Sequence, residues 1–585
     1  MEHGIRSPRL PGFGPSATNT SDAGRSGTGI RIRPSPRTRP RSRAPAGTRH
    51  ASSTGAQAGR FCWLLKIELL IKEAAAGVAL HTANALLCFL LVQRLTRRKT
   101  PALLASLLFA LHPLQLESVA WISELRGLSS GFFALLALNT LILSRQVAGE
   151  ASARSRALLA ASALLVTCAM LCKPAAAILP LIALAIDRIV LATPWRKAVV
   201  AASIWAACAL PFAWITRSVQ AVSTLGESLW WQRPFIAGDA LAFYLFKTFI
   251  PVDLCVDYGR TPHWVMSHAW AYLTWAAPVG LLVLGYRIRQ RRPLTWLGIL
   301  MFATFLLPTL GLVPFSFQAY STVADRYVYL ALIGVGLALA DAINDVKPRR
   351  LVLSVFSVAL VALAVLSFNQ SQYWIGSLNL LRHTIDVNPD AAFAYNNLGD
   401  REQANGEYAA ALADYRACVE HDPTRLKAYI NMAEVYATLD QPAEAERALA
   451  QVTRTTGMMA DGMIADDYSN LGIVLMKLHE YDRALGALAI AVAMDPSSPV
   501  HLFNQANALS ALGQLDQAEV AFRRCMALAP TLAGAHTGLG IVLAETNRLA
   551  AAVDEFRTAV RLQPGDPAAL DNLKRAESML EGRGL

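Results

Sequence analysis

The stretch FALHPLQLESVAWISELRG, residues 109–127, places ionisable side chains within a run of apolar residues. It contains His112, Glu117, Glu124 and Arg126. An ionisable group at the depth of a bilayer costs about 3 kcal/mol on insertion scales, and such groups usually face a cavity, a partner or water. The stretch therefore predicts either a polar cavity inside a membrane protein or a solvated rim at the membrane surface.

Two further segments combine charge with apolar runs in the same way. Lys173 lies between two apolar stretches, the second of which is within CKPAAAILPLIALAIDR (172–188). In QAYSTVADRYVYL (318–330), Asp325 and Arg326 directly precede a further apolar stretch. A carboxylate can act as general base toward a hydroxyl, and Lys or Arg binds phosphate through charge-assisted hydrogen bonds. The residues expected to line or brace one cavity are His112, Glu117, Glu124, Arg126, Lys173, Asp325 and Arg326.

Composition places these residues in a membrane protein. The chain of 585 residues is 54% hydrophobic and 16% charged, which excludes an ordinary soluble enzyme. Residues 61–371 form the expected membrane domain, with about ten helices. The spans are predicted at 74–93, 101–120, 128–145, 157–172, 174–192, 198–216, 269–286, 294–312, 327–343 and 351–368.

The distribution of Lys and Arg predicts the orientation. Alternate loops carry 17 basic residues and the opposite loops only seven, which assigns the basic set to the cytoplasm. The last span then runs outward, so we expect the rest of the chain in the periplasm, or in the lumen of the endoplasmic reticulum of a eukaryote. The candidate cavity residues fall on the outer face. Residues 239–259 are expected to lie along the membrane interface there.

Residues 1–60 differ from the rest of the chain. They hold eleven Arg, no Lys and two acidic residues, which accounts for about +9 of the net charge of +12. With almost no large apolar residues they are expected to be disordered, either as a real cytoplasmic tail or as the product of a misassigned start. No nucleic-acid-binding signature accompanies the charge. The eight cysteines show neither a zinc nor a disulfide spacing, so no metal or cofactor is expected.

The last third of the chain is repetitive. Pro389, Pro423, Pro496, Pro530 and Pro564 are 34, 73, 34 and 34 residues apart, and 73 is two repeats plus five residues. A 34-residue period is typical of tetratricopeptide repeats, two antiparallel helices each. We predict about five repeats over residues 372–566 and a capping helix with a tail over 567–585. The small residues expected where the paired helices cross are Gly399, Ala433, Gly472, Ala506 and Gly540.

One repeat position carries an amide in four repeats. Asn397, Asn431, Asn470 and Asn504 share this position, and an amide offers two donors and an acceptor to a peptide backbone. The pattern resembles the asparagine ladder of the O-linked N-acetylglucosamine transferase superhelix, which implies an extended peptide as ligand. Alternatively, these residues brace turns within each repeat.

The combination resembles the transmembrane and tetratricopeptide-repeat-containing O-mannosyltransferases and their bacterial relatives over roughly residues 74–580. The motifs, in the family's order, are LHTANALLCFLLVQRLTRR (80–98), HPLQLESVAW (112–121), CKPAAAILPLIALAIDR (172–188), YLFKTFIPVDLCVDYG (244–259) and ADRYVYLALIG (324–334). The resemblance implies an all-α chain: a polytopic GT-C-like membrane bundle followed by a tetratricopeptide α-solenoid. It also implies transfer of a sugar, mannose in this family, from a polyprenyl-phosphate donor to Ser or Thr of proteins on the outer face. For such a reaction Lys173 and Arg326 are the expected partners of the donor phosphate, and Glu117 and Glu124 are the nearest candidates for the base.

Two functions are compatible with these features. The family carries its catalytic acid in an outer loop after the first membrane helix, and residues 1–73 match neither that helix nor that loop. The chain is thus either a glycosyltransferase whose base is not identified, or an inactive membrane-tethered scaffold that binds envelope proteins or peptides. A transporter is disfavoured because no inverted repeat is found.

Overall fold

The computed structural model describes residues 53–147, 152–219, 228–343, 349–456 and 463–582, with side chains from Ala75 onward. Most of residues 1–60, which were predicted to be disordered, lie outside the described residues. Within this segment a helix begins at Ser53, eight residues after its last proline. One compact unit comprises Trp63–Ala394, and Tyr395–Leu585 belongs to a second. Every described element is helical, which confirms the all-α prediction.

Fourteen α-helices make up the first part of the described chain. They are α1 Ser53–Thr96, α2 Lys99–Leu111, α3 Leu116–Ala120, α4 Leu125–Gln146, α5 Ala153–Cys172, α6 Leu179–Ile189, α7 Trp195–Val219, α8 Arg233–Phe249, α9 Pro262–Met266, α10 Ala276–Ile288, α11 Pro293–Leu306, α12 Leu332–Ile343, α13 Arg349–Ser371 and α14 Ser377–Val387. Their core contains fully buried aromatic residues such as Phe109, Trp205 and Tyr244.

Five described helical segments are long and apolar enough to cross a membrane. They are Ala75–Thr96, Ile122–Gln146, Ala153–Cys172, Ala269–Ile288 and Leu351–Ile375. A sixth is possible if Lys99–Leu111 and Pro113–Ala120, which meet at an angle of 57°, count as one span. In the segment Leu351–Ile375, only 6% of the most apolar 18-residue stretch is buried inside the protein, as expected for a helix surrounded by lipid.

Several predicted spans are shorter or broken because of proline. The predicted 101–120 bends at His112, just before Pro113. The predicted 174–192 begins as a 3₁₀ segment at Pro174, so its α-helix has 11 residues. A proline lacks the backbone N–H that a helix interior needs and is best tolerated in the first turn. These breaks lie where the candidate site residues were expected.

The helix ends separate into two groups. At one end of the bundle, Arg145 at the end of α4 forms an ion pair of 2.8 Å with Asp187 at the end of α6. The same Arg145 donates to the Lys197 carbonyl at the start of α7, and Arg94 at the end of α1 donates to Gln146. The opposite ends of α4, α5 and α6 meet at a cavity, described below.

The second unit is a series of paired helices. They are α15 Ala392–Ala404, α16 Tyr408–His421, α17 Leu426–Thr438, α18 Pro442–Thr456, α19 Ala465–Lys477, α20 Tyr481–Met494, α21 Pro499–Ala511, α22 Leu515–Leu528, α23 Ala533–Glu545 and α24 Leu549–Leu562, followed by α25 Pro567–Glu581. The five-residue insertion inferred from the proline spacing overlaps residues 457–462, outside the described part.

The small residues predicted at the helix crossings occupy these positions. A Cβ on Gly399 would lie 2.7 Å from the Tyr415 ring, and one on Gly540 would lie 2.6 Å from the Phe556 ring. Real Cβ atoms do not approach other atoms so closely. At these repeat positions the absence of a side chain lets the ring of the paired helix pack directly against the helix backbone. Burial of a ring such as that of Phe556 contributes about 1.5–3 kcal/mol.

Candidate active site

A pocket open to solvent lies where helix ends of the first unit converge, with about 600 Å³ of space free of protein atoms when the adjoining solvent is included. The start of α4, the end of α5, the segment before α6, the end of α11 and the segment before α12 all contribute to its wall. The lining residues are Ser118, Glu124, Gly127, Ser130, Lys173, Ala175, Ala176, Ile178, Leu179, Phe305, Thr309, Arg326, Tyr327, Tyr329 and Leu330. Three of the seven predicted site residues, Glu124, Lys173 and Arg326, are among them.

Glu124 and Lys173 form the accessible ion pair of this cavity. Lys173 Nζ lies 2.8 Å from Glu124 Oε2, and their side chains are 24% and 6% exposed. Lys173 directly follows α5, and Glu124 directly precedes α4. Gly127 makes room for the pair, since a Cβ there would lie 2.4 Å from Glu124 Oε2 and 3.3 Å from Lys173 Nζ. The pair therefore fills the space that a side chain at position 127 would need.

Arg326 is the second cation of the cavity and is held by Glu117. The guanidinium forms an ion pair with Glu117 Oε1, and the Arg326 backbone N–H donates to Glu117 Oε2 at 2.8 Å. Arg326 Nε also lies 3.9 Å from Glu124 Oε1. Glu117 is 2% exposed and is absent from the lining. Because Arg326 occupies both oxygens of Glu117, Glu124 is the better placed of the two carboxylates for contact with a ligand.

Aromatic rings surround the Arg326 guanidinium. Its Cζ lies 4.2 Å from the ring centre of Phe317, 4.9 Å from that of Tyr327 and 5.1 Å from that of Trp121. A cation over an aromatic face is stabilised by the ring quadrupole by about 0.5–2 kcal/mol. The rings also exclude water from one side of the guanidinium. Tyr327 and Trp121 were part of the quoted motifs, but no spacing rule on the sequence singled them out.

The other predicted residues lie elsewhere. His112 is buried, with Nε2 3.0 Å from the Thr248 carbonyl and Nδ1 accepting from the Leu114 N–H. It thereby caps the bend after α2. Asp325 is buried beside the cavity and accepts from the Tyr258 hydroxyl at 2.8 Å. Arg126, on the first turn of α4, is exposed and is not among the residues that line the cavity.

The turn that carries Arg326 is fixed from several sides. Asp325–Tyr327 form a short 3₁₀ segment. Tyr244, from α8, accepts from the Ala324 N–H at 3.0 Å. Burial and the nearby Glu117 carboxylate raise the pKa of Asp325 well above the usual range, while the Tyr258 hydroxyl bond opposes that shift. Burial and a neighbouring negative charge both favour the neutral form of a carboxyl.

The four asparagines of the repeats are not equivalent. Asn431 is buried and donates to Asp400 at 2.7 Å, and Asn504 donates to Ser469 at 3.0 Å. Each acceptor lies on the first helix of the preceding repeat, so these two amides brace neighbouring repeats. Asn397 and Asn470 are partly exposed. Two of the four asparagines therefore connect neighbouring repeats. The sequence suggested either peptide binding or bracing within one repeat, and it did not reveal this contact between repeats.

No group of three or more His, Cys, Asp or Glu side chains in the described ranges is arranged to hold a metal ion. The cavity lining holds one carboxylate, two cations, hydroxyls from Ser118, Ser130, Thr309, Tyr327 and Tyr329, and apolar side chains. Such a set can bind an anionic group beside an apolar one and accept a proton from a hydroxyl.

Comparison with known proteins identifies the repeats. The tetratricopeptide repeat family matches residues 402–457, 469–533 and 503–567. The solved structure of YrrB, a TPR protein with an unusual peptide-binding site, is 26% identical, with a TM-score of 0.28, over 33% of this chain and 97% of that chain. The solenoid predicted from the proline period is confirmed as tetratricopeptide repeats.

Two curated relatives are also similar to part of the chain. The human Protein O-mannosyl-transferase TMTC1 is 23% identical over 36% of this chain and 23% of its own length. The Drosophila melanogaster Protein O-mannosyl-transferase Tmtc3 is 25% identical over 29% of this chain and 20% of its own length. The chain thus spans about a quarter or less of the curated relatives it matches. It is a chain with tetratricopeptide repeats and apolar helices of membrane-spanning length, weakly similar to these O-mannosyltransferases.

Proposed function

We propose that this chain is a membrane glycosyltransferase that moves a sugar, mannose by analogy with its relatives, from a polyprenyl-phosphate donor to a Ser or Thr hydroxyl of a protein. The observation that carries the proposal is the cavity in which Glu124, Lys173 and Arg326 meet an apolar wall. A lipid-linked donor needs cations for its phosphate and apolar surface for its tail. A hydroxyl acceptor needs a carboxylate.

The chain's own residues would divide the reaction as follows. The acceptor hydroxyl loses its proton to Glu124 while its oxygen forms a bond to C1 of the sugar. The bond between C1 and the phosphate oxygen breaks, and the electron pair remains on the polyprenyl phosphate. Lys173 and Arg326 stabilise that leaving charge. Since Lys173 is bound to Glu124 in the present structure, donor binding would draw Lys173 toward the phosphate and release Glu124 Oε2 for the acceptor.

The position of the cavity supports an outward-facing site. Its wall is built from the ends of α4, α5 and α6 opposite to those that carry Arg145, Ser155 and Asp187. Basic loops favour the cytoplasm, so the cavity would open on the other face. There it would meet both a lipid-linked donor and secreted proteins. The repeats would bind an extended segment of the acceptor, a role compatible with the partly exposed Asn397 and Asn470.

The experiment is a transfer assay with the purified full chain in nanodiscs. Dolichyl- or undecaprenyl-phosphate mannose and a Ser/Thr-rich peptide are supplied, and the peptide is analysed by mass spectrometry. We expect a mannosylated peptide from wild type, a loss of at least 100-fold in Glu124→Gln, and wild-type rates in the control Glu420→Gln, whose side chain is exposed on α16. Transfer by Glu124→Gln at the wild-type rate would exclude Glu124 as the base.

A scaffold is the second candidate. It is favoured by the fact that the family matches lie within residues 402–567. It is also favoured by the mutual neutralisation of the four charges Glu117, Glu124, Lys173 and Arg326. A scaffold predicts peptide binding by the repeats with no sugar transfer in wild type. The same assay, with peptide affinity measured in parallel, separates the two functions.

A further inference from the structure

The turn that carries Arg326 is connected to a loop outside the cavity. This loop, residues 250–261 between α8 and α9, is named the Tyr258 loop. The Tyr258 hydroxyl donates to Asp325 Oδ1 at 2.8 Å, and the Thr322 N–H donates to the Arg260 carbonyl at 2.9 Å. The side chain of Tyr258 thus connects the loop to Asp325, which directly precedes Arg326 in the sequence.

The far side of the Tyr258 loop is held by the segment that leads out of this unit. Gln370 Nε2 donates to the Leu254 carbonyl at 2.7 Å, and His383 Nε2 lies 3.0 Å from the same oxygen. Asn388, just after α14, donates to the Asp257 carbonyl at 3.2 Å. These three side chains come from the end of α13, from α14 and from the residue that follows it.

The loop between these two sets of contacts is also held by α8 and packs closely against Asn388. Lys247 Nζ donates to the carbonyls of Val252 and Asp253 at 2.6 and 3.1 Å. Gly259 has a φ of +63°, and a Cβ there would lie 2.9 Å from Asn388 Nδ2. The chain can therefore make this turn directly against Asn388 only because residue 259 is glycine.

We propose that Tyr258 is a positioning residue for Arg326, and that the Tyr258 loop transmits the position of α14 to the charge cluster of the cavity. The Arg326 guanidinium is shared between Glu117 and, at 3.9 Å, Glu124. Its distance to Glu124 depends on where the turn Ala324–Tyr327 lies. The Tyr258 hydroxyl, the Glu117 carboxylate and the Tyr244 hydroxyl fix that turn. Of these three, Tyr258 lies on the loop that also contacts Asn388.

The consequence for ligand binding rests on the proposed function. If Arg326 binds the donor phosphate, loss of the Tyr258 hydroxyl lets the turn relax and weakens binding. A hydrogen bond of this kind corresponds to a loss of about tenfold in affinity, or about 1.4 kcal/mol. If the chain binds no lipid phosphate, the positioning of the turn can still be measured by itself.

The first test is hydrogen–deuterium exchange of the full chain in nanodiscs, without ligand. We expect Tyr258→Phe and Asn388→Ala each to raise exchange in the peptide covering residues 322–330, and the double variant to show less than the sum of the two effects. Tyr286→Phe, which removes the same hydroxyl from an exposed residue of α10, is the matched control. An unchanged 322–330 peptide in Tyr258→Phe, or strictly additive effects, would overturn the proposal.

Two further variants protect this test against simple misfolding. Asp325→Asn keeps an acceptor for the Tyr258 hydroxyl, so its exchange in 322–330 should rise less than that of Asp325→Ala. Equal increases in the two would contradict a role for the hydroxyl bond. The second measurement is the affinity of each variant for undecaprenyl phosphate. No binding by wild type would count against the proposed function alone, whereas wild-type affinity in Tyr258→Phe would count against the link to Arg326.

Discussion

Replacing Gly127 with alanine displaces the Glu124 carboxylate without removing any charge. The added Cβ would lie 2.4 Å from Glu124 Oε2, whereas ordinary contacts begin at 3.4 Å, so the oxygen must move by about 1 Å. The obstacle is the end of a flexible side chain, so the helix itself stays in place. A misplacement of about 1 Å at a reacting group can lower the rate about 100-fold. We therefore expect Gly127→Ala to fold normally and to lose most of its transfer activity.

The assay compares initial rates of mannose transfer to a peptide, with the unfolding temperature measured in parallel. Gly280→Ala is the matched control, because nothing lies within 4 Å of a Cβ at that position of α10. The expected result is a rate near wild type for Gly280→Ala and a fall of roughly 10- to 100-fold for Gly127→Ala. If Gly127→Ala turns over like wild type while Glu124→Gln is inactive, the position of the carboxylate relative to Lys173 does not limit the reaction.

Three further results are expected. Glu117→Gln leaves the buried Arg326 charge without its nearest counter-ion, so the first unit should lose about 3–5 kcal/mol and unfold several degrees lower in a thermal scan. An unchanged transition would show that this ion pair does not stabilise the unit. Hydrogen bonding by Arg548 lowers the pKa of Glu519 in the repeats. The pair therefore stabilises the fold at pH values above the ordinary Glu pKa of about 4.3. That stabilisation is lost as the pH falls through the lower pKa of the folded state. Acid unfolding monitored by circular dichroism should therefore be less steep in Glu519→Gln, and equal slopes would contradict this. An alkaline phosphatase fused after the last repeat should be active, because the proposed topology puts the repeats on the outer face, and an inactive fusion would contradict that topology.

The repeats could be predicted almost completely from the sequence. A fixed period places a proline, a small crossing residue and an apolar set at the same offsets in each unit, and neighbouring units repeat the same contacts. The helices α15 to α25 follow that period. What the period does not encode is the contact between different repeat positions, such as Asn431 with Asp400.

The first unit was predicted less completely, for a physical reason. Apolar runs reveal that a helix exists, but helix ends depend on local breaks such as those at Pro113 and Pro174. The cavity depends on pairings between distant residues, and Glu117 and Arg326 are 209 positions apart. The sequence located charged residues near the right helix ends. It could not tell that Arg126 lies outside the cavity lining or that Tyr258 contacts the turn beside Arg326.

The proposed function requires the cavity to bind the phosphate of a lipid-linked sugar between Lys173 and Arg326. The most direct measurement is an electron cryo-microscopy structure of the full chain in nanodiscs with a non-hydrolysable polyprenyl-phosphate mannose analogue. We predict density for the phosphate within hydrogen-bonding distance of both cations, and a Glu124 carboxylate released from Lys173. A lipid phosphate bound elsewhere, with the Glu124–Lys173 pair intact, would contradict the account.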